Sequence, residues 1–296
     1  MLGVYDSGVG GLTVVKELRR KIPNAGLIYV GDTARAPYGG KDPETLFSHG
    51  CEIIRFLLKK GAVAIVVACG TSSSVSLDAL REEFPGVPFV DTIRPGTQSV
   101  VACARQHILS KPDSAEKFST VEACAQQHIL SKPDSAGSIE EFRPVFIGTE
   151  GTVKSGLFAK LFAEALPDCE LIVRACPLFA PIVEAGISGN HPLANFAADH
   201  YLADLKGRVN ALVLGCTHYP LLTDAIRRTL GDITFINPAE ATALAAKAVW
   251  DTLPATTKPP KTRYYATGDP KNFAKLAKHI LGEKLTARQA KFTANA

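Results

Sequence analysis

Eight short apolar runs, each closed by polar or small residues, govern what this chain can become. They cover 2–6, 26–31, 62–68, 87–91, 144–148, 170–175, 211–215 and 232–236. Amphipathic stretches such as 12–21, 44–60, 73–84, 153–166 and 219–230 lie between them. Runs of this length read as strands buried on both faces. Their alternation with helical patterns predicts parallel sheets covered by helices on both sides. Polar residues stand at the run ends: Asp6-Ser7, Asp32-Thr33, Cys69-Gly70-Thr71, Asp91-Thr92, Thr149, Cys176, Cys216-Thr217-His218 and Asn237. Ligands of open α/β sheets bind beyond the carboxyl ends of the strands. The run ends are therefore the first place to look for chemistry.

Two of these ends match. Cys69 follows Ala64-Ile65-Val66-Val67-Ala68, and Cys216 follows Ala211-Leu212-Val213-Leu214-Gly215. Each half of the chain also opens on a strand and a glycine-bearing turn, at Asp6-Ser7-Gly8-Val9-Gly10-Gly11 and at Gly148-Thr149-Glu150-Gly151-Thr152-Val153. The interval from Asp6 to Cys69 nearly equals that from Thr149 to Cys216. This predicts two doubly wound parallel-sheet domains related by an approximate two-fold axis, with the site in the cleft between them. The first domain is expected at 1–96 with 237–296, and the second at 97–236. The rival reading is that α/β units simply resemble one another. Two thiols facing one pocket point to an acid and a base on opposite sides of a substrate carbon.

The Asp6–Gly11 turn offers helix-start N–H groups to an anion, but lacks the Lys-Ser/Thr of a phosphate loop. A carboxylate suits it better than a polyphosphate, and a purely structural glycine turn is the rival. Tyr38 and the Gly39 backbone, after a strand, are placed to line a pocket or to make a plain turn. His218, Glu184 and Asp6 are the ionisable groups expected near Cys216. Cys51, Cys169 and Cys176 read as core residues.

A net charge of +4 without a long Lys/Arg run implies no nucleic-acid partner. Seven cysteines, widely spaced and without a CxxC pair, fit a reducing compartment better than a disulfide framework. No run approaches membrane-spanning length. Strand-like sequence from Leu2 leaves no room for a signal peptide, so a cytoplasmic protein is expected. Residues 102–115 (ACARQHILSKPDSA) recur at 123–136 (ACAQQHILSKPDSA), differing only at Arg105 and Gln126. Two copies do not make a solenoid. The segment at about 102–136 reads as a duplicated surface insert, each copy ending a helix. A metal site from Cys103, His107, Cys124 and His128 is the weaker alternative to an ordinary helix face. No lysine stands at a strand end to hold a Schiff-base cofactor.

Taken together, DSGVGG, GDTARAPYG, VACGTSS, DTIRPG, IGTEGTVKS, ACPLFAPIVE, LGCTHYP and INPA resemble the glutamate racemases of the aspartate/glutamate racemase superfamily. The blocks cover most of the chain in the family's order. The resemblance implies a two-domain isomerase that interconverts L- and D-glutamate with no cofactor and no metal. It implies a cytoplasmic homodimer that supplies D-glutamate for peptidoglycan, and so for the cell wall and cell shape. By position, Cys69 and Cys216 would be the acid/base pair, the first acting on the D-isomer and the second on the L-isomer. Asp6, Glu184 and His218 would assist them. Asp6, Ser7, Tyr38, Gly39, Gly70, Thr71, Thr149, Thr152, Thr217 and His218 would contact substrate. The chain departs from the pattern at Gly70, where the family carries Asn, and in the length of the duplicated segment. Rivals of other classes are a two-domain binding protein for acidic amino acids and a thiol oxidoreductase. A sister enzyme acting on aspartate would differ in pocket length.

Overall fold

Alternate residues of the central strands face opposite helical layers, which is how near-continuous apolar runs come to be buried on both sides. The computed structural model describes residues 1–109, 141–254 and 261–292. The first sheet is built on β1 (Leu2–Asp6), β2 (Leu27–Gly31), β3 (Ala64–Val67) and β4 (Phe89–Val90). Leu2, Val4, Tyr29 and Val66 pack on the side of helix α1 (Leu12–Lys21). Tyr5, Ile28, Val30, Ile65 and Val67 pack with Ile53, Ile54 and Leu57 of α2 (Pro43–Lys59) on the other side. Each fully buried Leu or Ile contributes roughly 1.5–3 kcal/mol relative to exposure. Asp42 starts α2 by accepting from the Thr45 N–H at 2.8 Å, with Pro43 in the first turn.

The second sheet holds β5 (Pro144–Gly148), β6 (Ile172–Ala175), β7 (Ala211–Leu214) and β8 (Thr234–Ile236). All strand pairs are parallel. Spatial order is β2-β1-β3-β4 in one sheet, continued beyond β2 by β9 (Arg263–Ala266) and β10 (Ala287–Gln289), and β6-β5-β7-β8 in the other. The four-strand orders β2-β1-β3-β4 and β6-β5-β7-β8 are the same order. β3 and β7 are thus equivalent strands, and Cys69 and Cys216 follow them. Two segments link the sheets. Helix α3 (Ile93–Leu109) leaves β4, and the helix over Pro238–Asp251 follows β8; they pack against each other, and the latter also packs on α1.

All eight expected strands are present, those at 2–6 and 144–148 with the expected limits and the other six slightly shorter. Two more, β9 (Arg263–Ala266) and β10 (Ala287–Gln289), extend the first sheet beyond β2. Their sequences, RYYA and ARQ, carry no apolar run to announce them. Three expected helices are subdivided. The 73–84 stretch is Gly70–Val75 followed by Leu77–Glu83. The 153–166 stretch is Glu150–Lys154 and Leu157–Ala165, split at Gly156, whose φ is 66°. The 219–230 stretch opens as a 3₁₀ turn at Tyr219–Leu222 before Thr223–Leu230. Of the duplicated segment, 102–109 belongs to α3, while 110–136, with Cys124 and His128, lies outside the described residues.

Among the described residues no helix is long and apolar enough to cross a membrane. No group of three or more His, Cys, Asp or Glu among them is placed to hold a metal ion.

Candidate active site between the two sheets

Strand β1 ends on Asp6, which is fully buried. Its Oδ2 accepts from the N–H groups of Gly8 at 3.2 Å and Gly11 at 2.9 Å. The Val9 N–H donates to Glu184 Oε1 at 2.8 Å. The N–H groups of this turn that the sequence offers to an anion are taken by the chain's own carboxylates, Asp6 and Glu184. Burial raises the Asp6 carboxyl above the usual range, against the pull of the nearby His218 charge. Thr217 Oγ1 donates to Asp6 Oδ1 at 3.2 Å.

From Cys216 a line of polar groups runs outward. His218 Nδ1 lies 3.6 Å from Cys216 Sγ, and His218 Nε2 lies 2.6 Å from Glu184 Oε1. Burial acts to lower the His218 pKa, but Cys216 and Glu184 together outweigh it and hold the ring well above the ordinary histidine range. In its protonated form the ring donates through both N–H groups, one to sulfur and one to carboxylate. Glu184 also borders a cavity of about 200 Å³ lined by Pro37, Pro181, Asn272 and Phe273. The cavity touching Cys216 is far smaller, about 10 Å³, and is bounded by Thr13, Phe146 and Gly215.

Cys69 has different surroundings. It is buried, and it packs with Tyr38 and Leu46. Burial, with a further push from the Asp6 charge, raises its thiol to about 11; the Ser72 N–H and hydroxyl act the other way. The Tyr38 hydroxyl donates to Asp32, which also accepts from Arg35 Nε at 2.7 Å and Thr267 Oγ1 at 2.6 Å. Tyr38 is therefore held with its ring beside the thiol and its hydroxyl turned to Asp32.

The remaining expected residues stitch the two units together. Thr71 Oγ1 lies 2.8 Å from Thr149 Oγ1, which lies 2.9 Å from Thr152 Oγ1. The Gly151 N–H donates to the Gly39 carbonyl at 2.7 Å. Gly70 meets the other unit at the Gly215 carbonyl. Ser7 is buried at the end of β1. The structure thus gathers all thirteen expected positions at the facing strand ends. Sequence reasoning missed Ser72 and Tyr5, whose buried hydroxyls flank Cys69 without a full-strength hydrogen bond of their own. It also missed the Asp32 anchor of Tyr38, although Asp32 was visible as a strand-end carboxylate.

No protein-family model matches the chain. A glutamate racemase of Geobacter metallireducens is 35% identical over 289 residues, covering 96% of this chain and 93% of that protein. Those of Corynebacterium diphtheriae (36%) and Thermus thermophilus (37%) also align over 289 residues. They cover 96% and 97% of this chain, and 95% and 94% of the relatives. The crystal structure of the Thermus thermophilus enzyme with beta-chloro-D-alanine superposes with a TM-score of 0.72 at 35% identity, over 98% of this chain and 96% of that one. That of the Francisella tularensis enzyme with D-glutamate gives 0.77 at 27%, over 98% and 97%. With near-complete coverage from both sides, and two parallel sheets meeting at a pair of strand-end cysteines, this chain belongs to the glutamate racemases.

Proposed function

We propose that the protein interconverts L- and D-glutamate without a cofactor, using Cys69 and Cys216 as the two acid/base groups. The observation that carries this reading is the placement of the thiols after equivalent strands β3 and β7, at facing ends of two sheets. A racemase must remove the α-proton from one face and return one to the other. Starting from L-glutamate, the Cys216 thiolate takes the α-proton, with the His218 imidazolium beside the sulfur as its counter-charge. The Cys69 thiol then gives its proton to the opposite face, leaving a Cys69 thiolate and a Cys216 thiol. From D-glutamate the roles reverse. A thiol raised to about 11 is protonated at neutral pH, which suits Cys69 as the donor in the first direction. The carbanion-like state between the two transfers calls for fixed donors, and the hydroxyls of Ser7, Thr71 and Thr217 are at hand.

The same reading takes residues 1–96 with 237–296 as one domain and 97–236 as the other. It places the enzyme in the cytoplasm as a homodimer, supplying D-glutamate for peptidoglycan and cell shape. The test is racemisation in D₂O followed by circular dichroism and mass spectrometry. Wild type converting L to D should place deuterium at Cα of the product. Cys69→Ala and Cys216→Ala should each lose racemisation while staying folded. The variant keeping Cys216 should still exchange the α-hydrogen of L-glutamate, and the one keeping Cys69 that of D-glutamate. A product that quantitatively keeps its original hydrogen, or an alanine variant near wild-type rate, would remove the two-thiol mechanism.

A further inference from the structure

The serines that follow Cys69 differ in one respect. The Ser73 hydroxyl donates to the Val67 carbonyl at 2.9 Å, that of Ser74 to Gly70 at 2.8 Å and that of Ser76 to Ser72 at 3.2 Å. The last two are the ordinary helix bonds to the carbonyl four residues back. Ser72 Oγ is fully buried and has no hydrogen-bond partner among the described residues.

A second such atom lies at the same place. Tyr5 of β1 pairs with Val67 of β3, two residues before Cys69, and is fully buried with its hydroxyl unpartnered. Tyr29 on the neighbouring strand shows the usual arrangement, its hydroxyl donating to the Gly8 carbonyl at 2.8 Å. A hydroxyl buried without a partner destabilises the fold, and Ala or Phe in its place would remove the penalty. Two together call for a use.

Cys69 supplies one. On the racemase reading above it must become a thiolate, yet it is buried and lacks the histidine that stands beside Cys216. The ionisable groups facing it are Asp6 and Tyr5 of β1, Tyr29 of β2, Tyr38 after β2 and Cys216 across the cleft, with Cys51 of α2 behind Tyr5. Each is neutral or becomes an anion, so none offers a thiolate a counter-charge. The Ser72 N–H and hydroxyl do favour the ionised sulfur, and the same hydroxyl favours an ionised Tyr5.

We propose that the Ser72 hydroxyl is a donor kept free for the Cys69 thiolate, with the Tyr5 hydroxyl supporting it from behind. A thiol sulfur is a weak acceptor, so the serine stays unpaired while Cys69 is protonated. Once Cys69 has given its proton to substrate, the Ser72 O–H turns to the sulfur and the Tyr5 O–H turns to the Ser72 oxygen. Bonds to an ionised acceptor are the strong ones, and aligned bonds reinforce each other. No proton leaves either hydroxyl. Both residues act through Cys69 and are positioning residues. The effect on turnover rests on the racemase reading, whereas the effect on Cys69 ionisation needs no substrate.

The experiment compares the full chain with Ser72→Ala, Tyr5→Phe and the double variant. Iodoacetamide reacts with the thiolate, so labelling at pH 8.5, mapped by mass spectrometry, follows ionisation. Cys216 is reached through the same cleft and reports its opening, so the Cys69-to-Cys216 labelling ratio isolates the change at Cys69. The ratio should fall roughly tenfold in Ser72→Ala and about threefold in Tyr5→Phe. The double variant should match Ser72→Ala, because Tyr5 acts through the serine. Urea midpoints at pH 7 should equal or exceed wild type, the opposite of what a purely structural hydroxyl predicts. In a Cys216→Ala background, exchange of the α-hydrogen of D-glutamate in D₂O should fall by the same factors. An unchanged or raised ratio in folded Ser72→Ala would overturn the proposal, as would urea midpoints below wild type in both single variants. If Ser72→Ala does not fold, the ratio in Tyr5→Phe decides. Effects that multiply in the double variant would overturn the part given to Tyr5. A lowered ratio with no α-hydrogen exchange in Cys216→Ala itself would keep the Ser72 donor and count against the two-thiol reaction.

Discussion

Glu184 Oε1 holds His218 Nε2 at 2.6 Å and the Val9 N–H at 2.8 Å, so one oxygen of the second unit ties the histidine to the first. The pair is buried on the histidine side and part-exposed on the glutamate side. Glu184→Gln keeps the shape and removes the charge. It should lower kcat from L-glutamate about 10²-fold, a typical acid/base contribution, with little change in KM. Glu184 helps hold the His218 pKa above its ordinary 6.5. The stabilisation this gives is full below pH 6.5 and fades as pH rises through the raised value. In the variant the ring should lose its proton at lower pH, moving the alkaline limb of kcat/KM downward. Histidine NMR and a pH–rate profile check both statements.

Cys69 makes the protein alkali-sensitive. Burial pushes its thiol up to about 11 in the folded state, from 9.0 for the ordinary group. The native state therefore keeps a proton that the unfolded chain loses, and stability is full below pH 9 and drains away as pH rises toward 11. The loss attached to this one group is on the order of 2–3 kcal/mol. Urea unfolding at pH 7.5 and pH 10.5 should show a larger drop for wild type than for Cys69→Ser. Equal drops would place the titration elsewhere.

Thr149 has two tasks that one substitution removes together. Its hydroxyl caps the helix Glu150–Lys154 through the Thr152 N–H at 3.2 Å, and it meets Thr71 across the units. Thr149→Ala should cost about 1 kcal/mol in denaturant unfolding, a usual cap value. It should also reduce kcat/KM beyond what reduced stability explains. Thr149→Ser should recover most of both.

Removing residues 116–136, one repeat period, should leave racemisation largely intact. Loop-closure entropy changes slowly with length, and connecting segments tolerate deletion. A folded but inactive deletion variant, judged by circular dichroism and glutamate turnover, would tie the segment to the site or to a required interface.

Dialysis against a chelator should leave the rate unchanged. The proposed proton transfers run between each thiol and the substrate α-carbon and use no metal. Activity lost on chelation and restored by a divalent ion would contradict this.

The parallel strands were legible because their burial on both faces makes them near-continuous apolar runs. β9 and β10 were not, because their pairing with β2 and with each other comes from the chain's return to the first sheet, not from their own residues. The broken helices show local chemistry overriding periodicity: Gly156 in a left-handed turn ends one, and Pro220 sits in a tight first turn at another. At the site, Cys69, Cys216 and His218 stood out by position after matching strands. Glu184 was legible through its motif, but its bond to His218 joins groups 34 residues apart and exists only once the sheets are folded. Ser72 was hidden among Ser72, Ser73 and Ser74, since nothing in a serine run marks which hydroxyl faces a thiol.

The two thiols follow equivalent strands, yet their neighbours differ: a cation and a carboxylate beside Cys216, an aromatic ring and buried hydroxyls near Cys69. Mirror-image substrates have equal free energy in water. Thermodynamics then forces kcat/KM to be the same for the two enantiomers, however unlike the flanks become. The dissimilarity can surface only in how each direction divides that shared quotient between turnover and saturation. One half of the cleft is thus free to drift from the other without biasing which hand of glutamate accumulates.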